Sequence, residues 1–563
     1  MKASKWLWFL GFTAVFAALA GFVFWGTWST DFAPVMPDDA GLSPQTYGEV
    51  LSAWWRNFLS TGLVQPTDLL WSGLLGSPYF CKELKYAFAL YLSALGLAWF
   101  LRGRGLSRLA CYGAGLMLAF CGYWCSLFSA GHGGWFIWMS YGVFAFGLAD
   151  RAVRSGKPCW WLLLGTCVAW ASFHQPDLWL LFAVLTGAYV IWCCVRERRF
   201  LWKGVLFAAG AFFLVGAPSI QGAFGGALSG RDKQIAESQT VNPSVTDERE
   251  KRWIFVTNWS LPPAESAEFF VPRLNGDTSC PMTLSLGARY GTGVRQYTGA
   301  LGRPKDAPAG NYRQHSLYVG FVTCLLALVG VVLAVPSPSR RQALAGEGPF
   351  PRQSPRAATV RRDVAFFAVA ALLCWLFSMG RYCEPVYRVI FSLPFGDYLR
   401  APVKWHHLTE FCLVVLAGYG IEGLLSLASR VSCLKSYASP IVGMIVLVGV
   451  IDLARVDHLY CAPVDLREAR RQNCSMQMTF LHKADFSNPQ VAAMVQAKKI
   501  VALAQPNPEM YLVGVLQPRG PKTDKPLPPM GFPAWLGIVS ALASLAVAGA
   551  SVGMVAGKGN LRI

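Results

Sequence analysis

The amino-acid sequence predicts an all-α polytopic integral membrane protein with about twelve transmembrane helices and a partly ordered external region. Three observations predict it. Of 563 residues, 54% are hydrophobic and only 14% are charged, and the mean hydropathy is +0.38, too apolar for a soluble globular chain. The apolar residues fall into runs of membrane-crossing length. The Lys and Arg residues gather in short clusters between alternate runs, so the formal charge of +19 reads as a topology signal. No basic helix or aromatic-interleaved strand points to a nucleic-acid partner, and none is expected.

Lys2 and Lys5 precede the run from Trp6 to Trp28, which continues past the cleavage-like Ala18-Leu19-Ala20 and is therefore an anchor. Residues 29–84 form a polar, Trp-rich first external loop, in which Tyr47 to Leu59 suits an amphipathic helix at the interface. Spans at about 85–101, 109–128, 136–150, 159–172, 177–195 and 204–222 complete an N-terminal bundle of about seven helices over residues 1–222. Arg102, Arg104 and Arg108, then Arg151, Arg154 and Lys157, then Arg196, Arg198, Arg199 and Lys203 mark every second connection as cytoplasmic.

Residues 223–316 predict an external loop domain, because a structureless connection of that length is uncommon. A second transmembrane group covers 317–456, with helices at about 317–336, 364–380, 407–428 and 438–455 and a Pro-, Ser- and Arg-rich cytoplasmic linker at 337–362. An external segment, 457–531, precedes the final helix and tail, 532–563, and both termini are expected in the cytoplasm.

This topology places His132, His174, His315, His406, His407, His458 and His482 in external loops or at external helix ends. Chemistry is therefore expected on the outer face. Asp38 and Asp39, just beyond the first span, are candidate general bases, since a carboxylate near its pKa can take a proton from an acceptor hydroxyl. His132 and His174 each sit at a helix end and can hold a phosphate leaving group; interfacial histidines bonded to backbone carbonyls are the plainer alternative.

Arg400 and Lys404 lie four apart, so on a continuing helix they would share a face and clamp a lipid phosphate. Pro402 weakens that helix, and cations snorkelling to headgroups fit the spacing as well. Gly418, Gly420 and Gly423 match a dinucleotide fingerprint, but inside an apolar helix with no preceding strand they predict close helix packing instead. The cysteines lie mostly in apolar segments and behave as small hydrophobes; Cys461 and Cys474 share a polar loop that would let them pair in an oxidising compartment. No metal-ligand spacing stands out.

The order of segments resembles the bacterial YfhO-like membrane proteins, a group related to the GT-C class of polytopic glycosyltransferases. The stretch from Phe377 to Leu424 carries most of the likeness, with Arg400-Ala401-Pro402-Val403-Lys404 at its centre. Asn258 to Pro272, Ser316 to Gly330, Ala130 to His132 and His174 to Pro176 are similar too. The resemblance implies a GT-C-like fold in the bacterial cytoplasmic membrane. It also implies a polyprenyl-phosphate sugar donor and an envelope glycan or lipid acceptor, with membrane lipid around the chain. Carried onto this sequence, Asp38 or Asp39 would serve the acceptor or a divalent cation, and Arg400, Lys404 or a histidine would contact phosphate. The cofactor is otherwise open. The last external segment is shorter than in many relatives, which puts acceptor recognition in doubt. A non-catalytic transporter or lipid- or polysaccharide-handling protein is the alternative, and a scaffold for other envelope enzymes is a third.

Overall fold

The structure is a computed structural model. It describes residues 2–25, 32–34, 47–63, 78–122, 134–174, 176–199, 201–223, 247–275, 316–334, 355–394, 396–461, 463–465, 467–472, 474–507, 510–518 and 526–556. The principal helices are α1 (Lys2–Val23), α2 (Tyr47–Thr61), α3 (Pro78–Gly103), α4 (Arg108–Ala119), α5 (Gly134–Ser155), α6 (Pro158–Ser172), α7 (Pro176–Glu197) and α8 (Trp202–Val215). After these come α9 (Glu248–Val256), α10 (Phe321–Ala334), α11 (Pro355–Ser378), α12 (Glu384–Phe391), α13 (His406–Ala428), α14 (Ala438–Tyr460) and α15 (Phe532–Ala556).

Local chemistry sets several of these boundaries. Proline opens α6 and α7, where its missing N–H costs nothing. Ser107 caps α4, its Oγ accepting from the Ala110 N–H at 3.3 Å. Arg102, Arg154 and Arg196 occupy the last turns of α3, α5 and α7, where a cation offsets the helix dipole.

Among the described residues, six helices are long and apolar enough to cross a membrane, and a seventh crossing would be the α11–α12 pair, which bends by 112°. The apolar helices α4, α6, α8 and α10 have 12, 15, 14 and 14 residues. At about 1.5 Å per residue they fall short of a hydrocarbon core of about 30 Å, so length and composition support fewer crossings than the expected number. The expected span 109–128 yields a helix that ends at Ala119.

At the centre of the bundle stands α13, buried along most of its length against α10, α11, α4 and α14. Its glycines set the closest approach. A Cβ on Gly420 would lie 1.9 Å from the Leu326 carbonyl oxygen, and one on Gly330 would lie 2.4 Å from that of Leu416. The glycine pattern thus serves helix packing, as its apolar context predicts.

One end of the bundle is tied by buried ion pairs. Arg104 donates to Asp150 at 2.7 Å and pairs closely with Asp363. Arg196 reaches Asp363 at 2.6 Å and Asp150 at 3.6 Å, and the Tyr419 hydroxyl donates to Asp363 at 3.1 Å. Glu422 accepts from the Ser107 N–H at 2.7 Å. The ends of α3, α5 and α7, the start of α11 and the far part of α13 therefore meet in one layer, called below the basic end.

Two expectations need correction. The linker expected to run to 362 ends earlier, because α11 begins at Pro355. The fold is mostly helical but not all-α: β3 (Cys474–His482), β5 (Met510–Pro518) and β4 (Ile500–Asn507) form an antiparallel sheet in the order β3-β5-β4. Along β3 the faces alternate on a two-residue period, with Cys474 and Met476 buried and Gln477 exposed. A shorter pair joins β1 (Phe32–Pro34) to β2 (Pro463–Asp465), with Ala33 opposite Val464. Cys461 and Cys474 are both buried free thiols.

Candidate functional site

The end of the bundle opposite the ion-pair layer gathers segments that are distant in sequence. The turn after α9 presents Thr257, Asn258, Trp259 and Ser260. The chain before α13 docks on it: the Ala401 N–H donates to the Val256 carbonyl at 3.1 Å, and the Val403 N–H donates to that of Trp259 at 3.1 Å. Both Trp259 (φ 66°) and Ala401 (φ 65°) are left-handed non-glycine residues, a conformation that persists only where surrounding contacts impose it. Gly380 (φ 50°) completes the junction, since a Cβ there would lie 2.2 Å from Ser260 Oγ and 2.6 Å from Pro402 Cγ.

Arg381 is fixed by this turn. Its Nε donates to the Thr257 carbonyl at 3.2 Å, its Nη2 to Asn258 Oδ1 at 3.0 Å, and its backbone N–H to Ser260 Oγ at 3.1 Å. Arg400 is half-buried, with its guanidinium 4.9 Å from the Phe255 ring centre, a cation–π distance. Lys404 is half-buried in the short 3-10 turn Pro402–Trp405. The left-handed Ala401 interrupts any helix between Arg400 and Lys404, so the two do not share a helical face.

Beneath these cations lie His406, His407 and Glu410, all fully buried in the first turns of α13. Glu410 is 3.7 Å from His406 Nε2 and 3.5 Å from His407 Nδ1. His406 also lies 3.3 Å from the Leu317 carbonyl, and its ring packs tilted against Phe269 with centroids 4.4 Å apart. The Val319 N–H donates to the Phe269 carbonyl at 3.3 Å, so residues 316–319 and 258–272 meet at this histidine. Just before α10, the Tyr318 hydroxyl donates to Asp452 of α14.

The sequence candidates separate into groups. Arg400 and Lys404 belong to the junction just described. His174 follows α6 and stacks parallel to Tyr141 of α5 at 6.0 Å, so its ring is held by a different pair of helices. Asp38, Asp39 and His132 lie outside the described residues. The first loop leaves α1 beside the end of α14, where His458 Nδ1 is 3.3 Å from the Val23 carbonyl and its ring stacks on Phe22 at 4.5 Å. β1 then pairs with β2, just after α14.

Sequence reasoning missed Arg381 and Glu410 at this end, and Asp150 and Asp363 at the other. For Glu410 the signal was available: an acid inside an otherwise apolar helix has to find a partner or leave. At the basic end, burial works against the Arg104 charge, but Asp363, Tyr189 and Asp150 outweigh it and hold the guanidinium above its ordinary pKa. Among the described residues, no group of three or more His, Cys, Asp or Glu side chains is arranged to hold a metal ion.

No family model and no curated protein matches this chain. Among solved structures, ArnT from Cupriavidus metallidurans bound to undecaprenyl phosphate is similar over 90% of this chain and 98% of its own, at 12% identity and a TM-score of 0.29. A score that low leaves fold and function to be argued from this chain's own residues.

Proposed function

We propose that this protein is a membrane glycosyltransferase of GT-C type, moving a sugar from a polyprenyl-phosphate donor to an acceptor hydroxyl of an envelope glycan or lipid. One observation supports it above the rest. The segments 258–272, 316–319, 377–382 and 400–407, on which the family resemblance rests, meet at one end of the bundle and bring Arg381, Arg400 and Lys404 to its rim. Guanidinium and ammonium groups at a membrane boundary suit a lipid-linked phosphate, which two or three of them can hold while charge develops on the leaving oxygen.

In this reading the acceptor oxygen attacks the anomeric carbon directly, with inversion. The carbon–oxygen bond to phosphate breaks, and the polyprenyl phosphate leaves with the bonding pair. Asp38 or Asp39 takes the acceptor proton, and His132 and His174 flank the phosphate. The shorter helices cross with the longer ones, for about twelve spans. Residues 1–222 and 317–456 are the two membrane groups, 223–316 and 457–531 are external, and both termini lie in the cytoplasm of a bacterial cell. The ion-pair layer at the basic end supports access from one face only, which a transporter alternating between faces does not have.

Replacing Asp38 and Asp39 together by Asn tests the reading. Transfer from a polyprenyl-phosphate sugar is expected to vanish while the variant still inserts and melts as the parent does; transfer at the parental rate removes the mechanism.

A further inference from the structure

An apolar groove of about 460 Å³ runs between α1, α4 and α14, well away from the rim of cations. Three glycines open it. A Cβ on Gly11 would meet nothing within 4 Å, Gly443 faces only Leu109 at 3.9 Å, and Gly113 lets Val446 approach to 2.8 Å of where its Cβ would stand. Two of its walls, α1 and α14, are long and apolar enough to cross a membrane, so the medium that meets the groove is the bilayer. Along α1 it extends from Leu7 to Val15, about 12 Å at 1.5 Å per residue, against the roughly 15 Å of one hydrocarbon leaflet.

Charge identifies which end holds a headgroup. Tyr112, with its hydroxyl, lines the groove, and Arg108 stands one turn before it on α4 and so on the same face. Exposed Lys435 precedes α14 at the same end, and Lys2 and Lys5 open α1. In a bilayer, apolar contact alone favours no particular occupant, because lipid tails surround the whole chain; selectivity comes from shape and from charge at the interface.

We propose that this groove seats one acyl chain of an anionic phospholipid from the leaflet at the basic end, with its phosphate against Arg108 and Lys435. The site is independent of the proposed transfer reaction and lies at the other end of the bundle.

The test uses the full chain in nanodiscs of phosphatidylglycerol and phosphatidylcholine with identical acyl chains, doped with phosphatidylglycerol that carries a diazirine in one chain. Photo-adducts are expected on peptides that contain Trp8, Tyr112 and Val446. Adducts spread evenly over other lipid-facing helices, such as α15 with its exposed Leu542 and Leu545, would overturn the proposal. Excess phosphatidylglycerol should compete better than phosphatidylcholine by about five-fold for each interfacial cation, and Arg108→Gln should lower that preference about five-fold. Equal competition in the parent would remove the headgroup assignment. Gly11→Trp, at a position with room for a side chain, should abolish the groove adducts; if they persist at full yield, the chain is not seated there. The parental adduct map and competition decide the matter even where that variant folds poorly.

Discussion

Arg196 Nη1 lies 2.6 Å from Asp363 Oδ1, joining α7 to α11 between two side chains that are each no more than 2% exposed. Arg104 shares the same carboxylate, and Asp150 lies within ion-pair reach of both arginines, so two buried acids balance two buried guanidinium groups. Such a pair adds little over a hydrophobic packing of equal volume, but breaking it leaves charge stranded.

Asp363→Asn should therefore cost on the order of 3–5 kcal/mol, the usual price of removing one partner from a buried pair. Intrinsic tryptophan fluorescence during heating in detergent is the measurement. An unchanged melting temperature would mean that the layer is not what holds this end together.

The contact between α10 and α13 sets a second expectation. Gly420→Val drives a branched side chain toward the Leu326 carbonyl, which is backbone and has nowhere to move, and should destabilise by at least about 1–3 kcal/mol. Gly549→Ala, with nothing within 4 Å of the new methyl, serves as the control and should be neutral or slightly stabilising. Equal melting of the two variants would contradict the packing described.

At the rim, Ala401 pays for its left-handed backbone. Ala401→Gly should be tolerated, with a change within about 1 kcal/mol, whereas Ala401→Val should be markedly less stable because a β-branched residue resists positive φ. Stability of both variants, read by the same melting assay, distinguishes an imposed turn from a relaxed one.

Two native cysteines report the topology. Cys433, exposed between α13 and α14, is at the basic end, and half-exposed Cys383 is at the opposite end beside Arg381. In variants that retain one or the other, a membrane-impermeant maleimide should label Cys383 in intact cells and Cys433 only in inverted vesicles. Labelling of both from the same side would overturn the crossing pattern.

Much of this organisation was legible in the sequence, for identifiable reasons. His174, His406, His407 and His458 fall at helix ends, where the apolar runs of the sequence stop. Gly418, Gly420 and Gly423 were readable because an apolar helix leaves packing as their use. The Arg104–Asp363 pair was not, because its partners are 259 residues apart and each looks like a loop-flanking charge. The turn joining Arg400 to Lys404 was hidden by Ala401, since alanine does not announce a left-handed backbone. The sheet of β3, β5 and β4 escaped a reading tuned to long apolar runs, because its strands are nine residues or shorter. Of the candidate site, Arg400 and Lys404 were legible and Arg381 was not, because its role comes from hydrogen bonds to Thr257 and Asn258 across the fold.

The most direct test of the central claim is release of free polyprenyl phosphate from a polyprenyl-phosphate sugar by the purified protein in nanodiscs, with an envelope lipid extract as acceptor. The account predicts acceptor-dependent release, lowered at least about 100-fold when Arg400 and Lys404 are both replaced by Gln, the scale of loss when charge stabilisation at a leaving group is removed. Release that proceeds equally in the parent and in the Arg400→Gln, Lys404→Gln variant, or in neither above the protein-free rate, would contradict it.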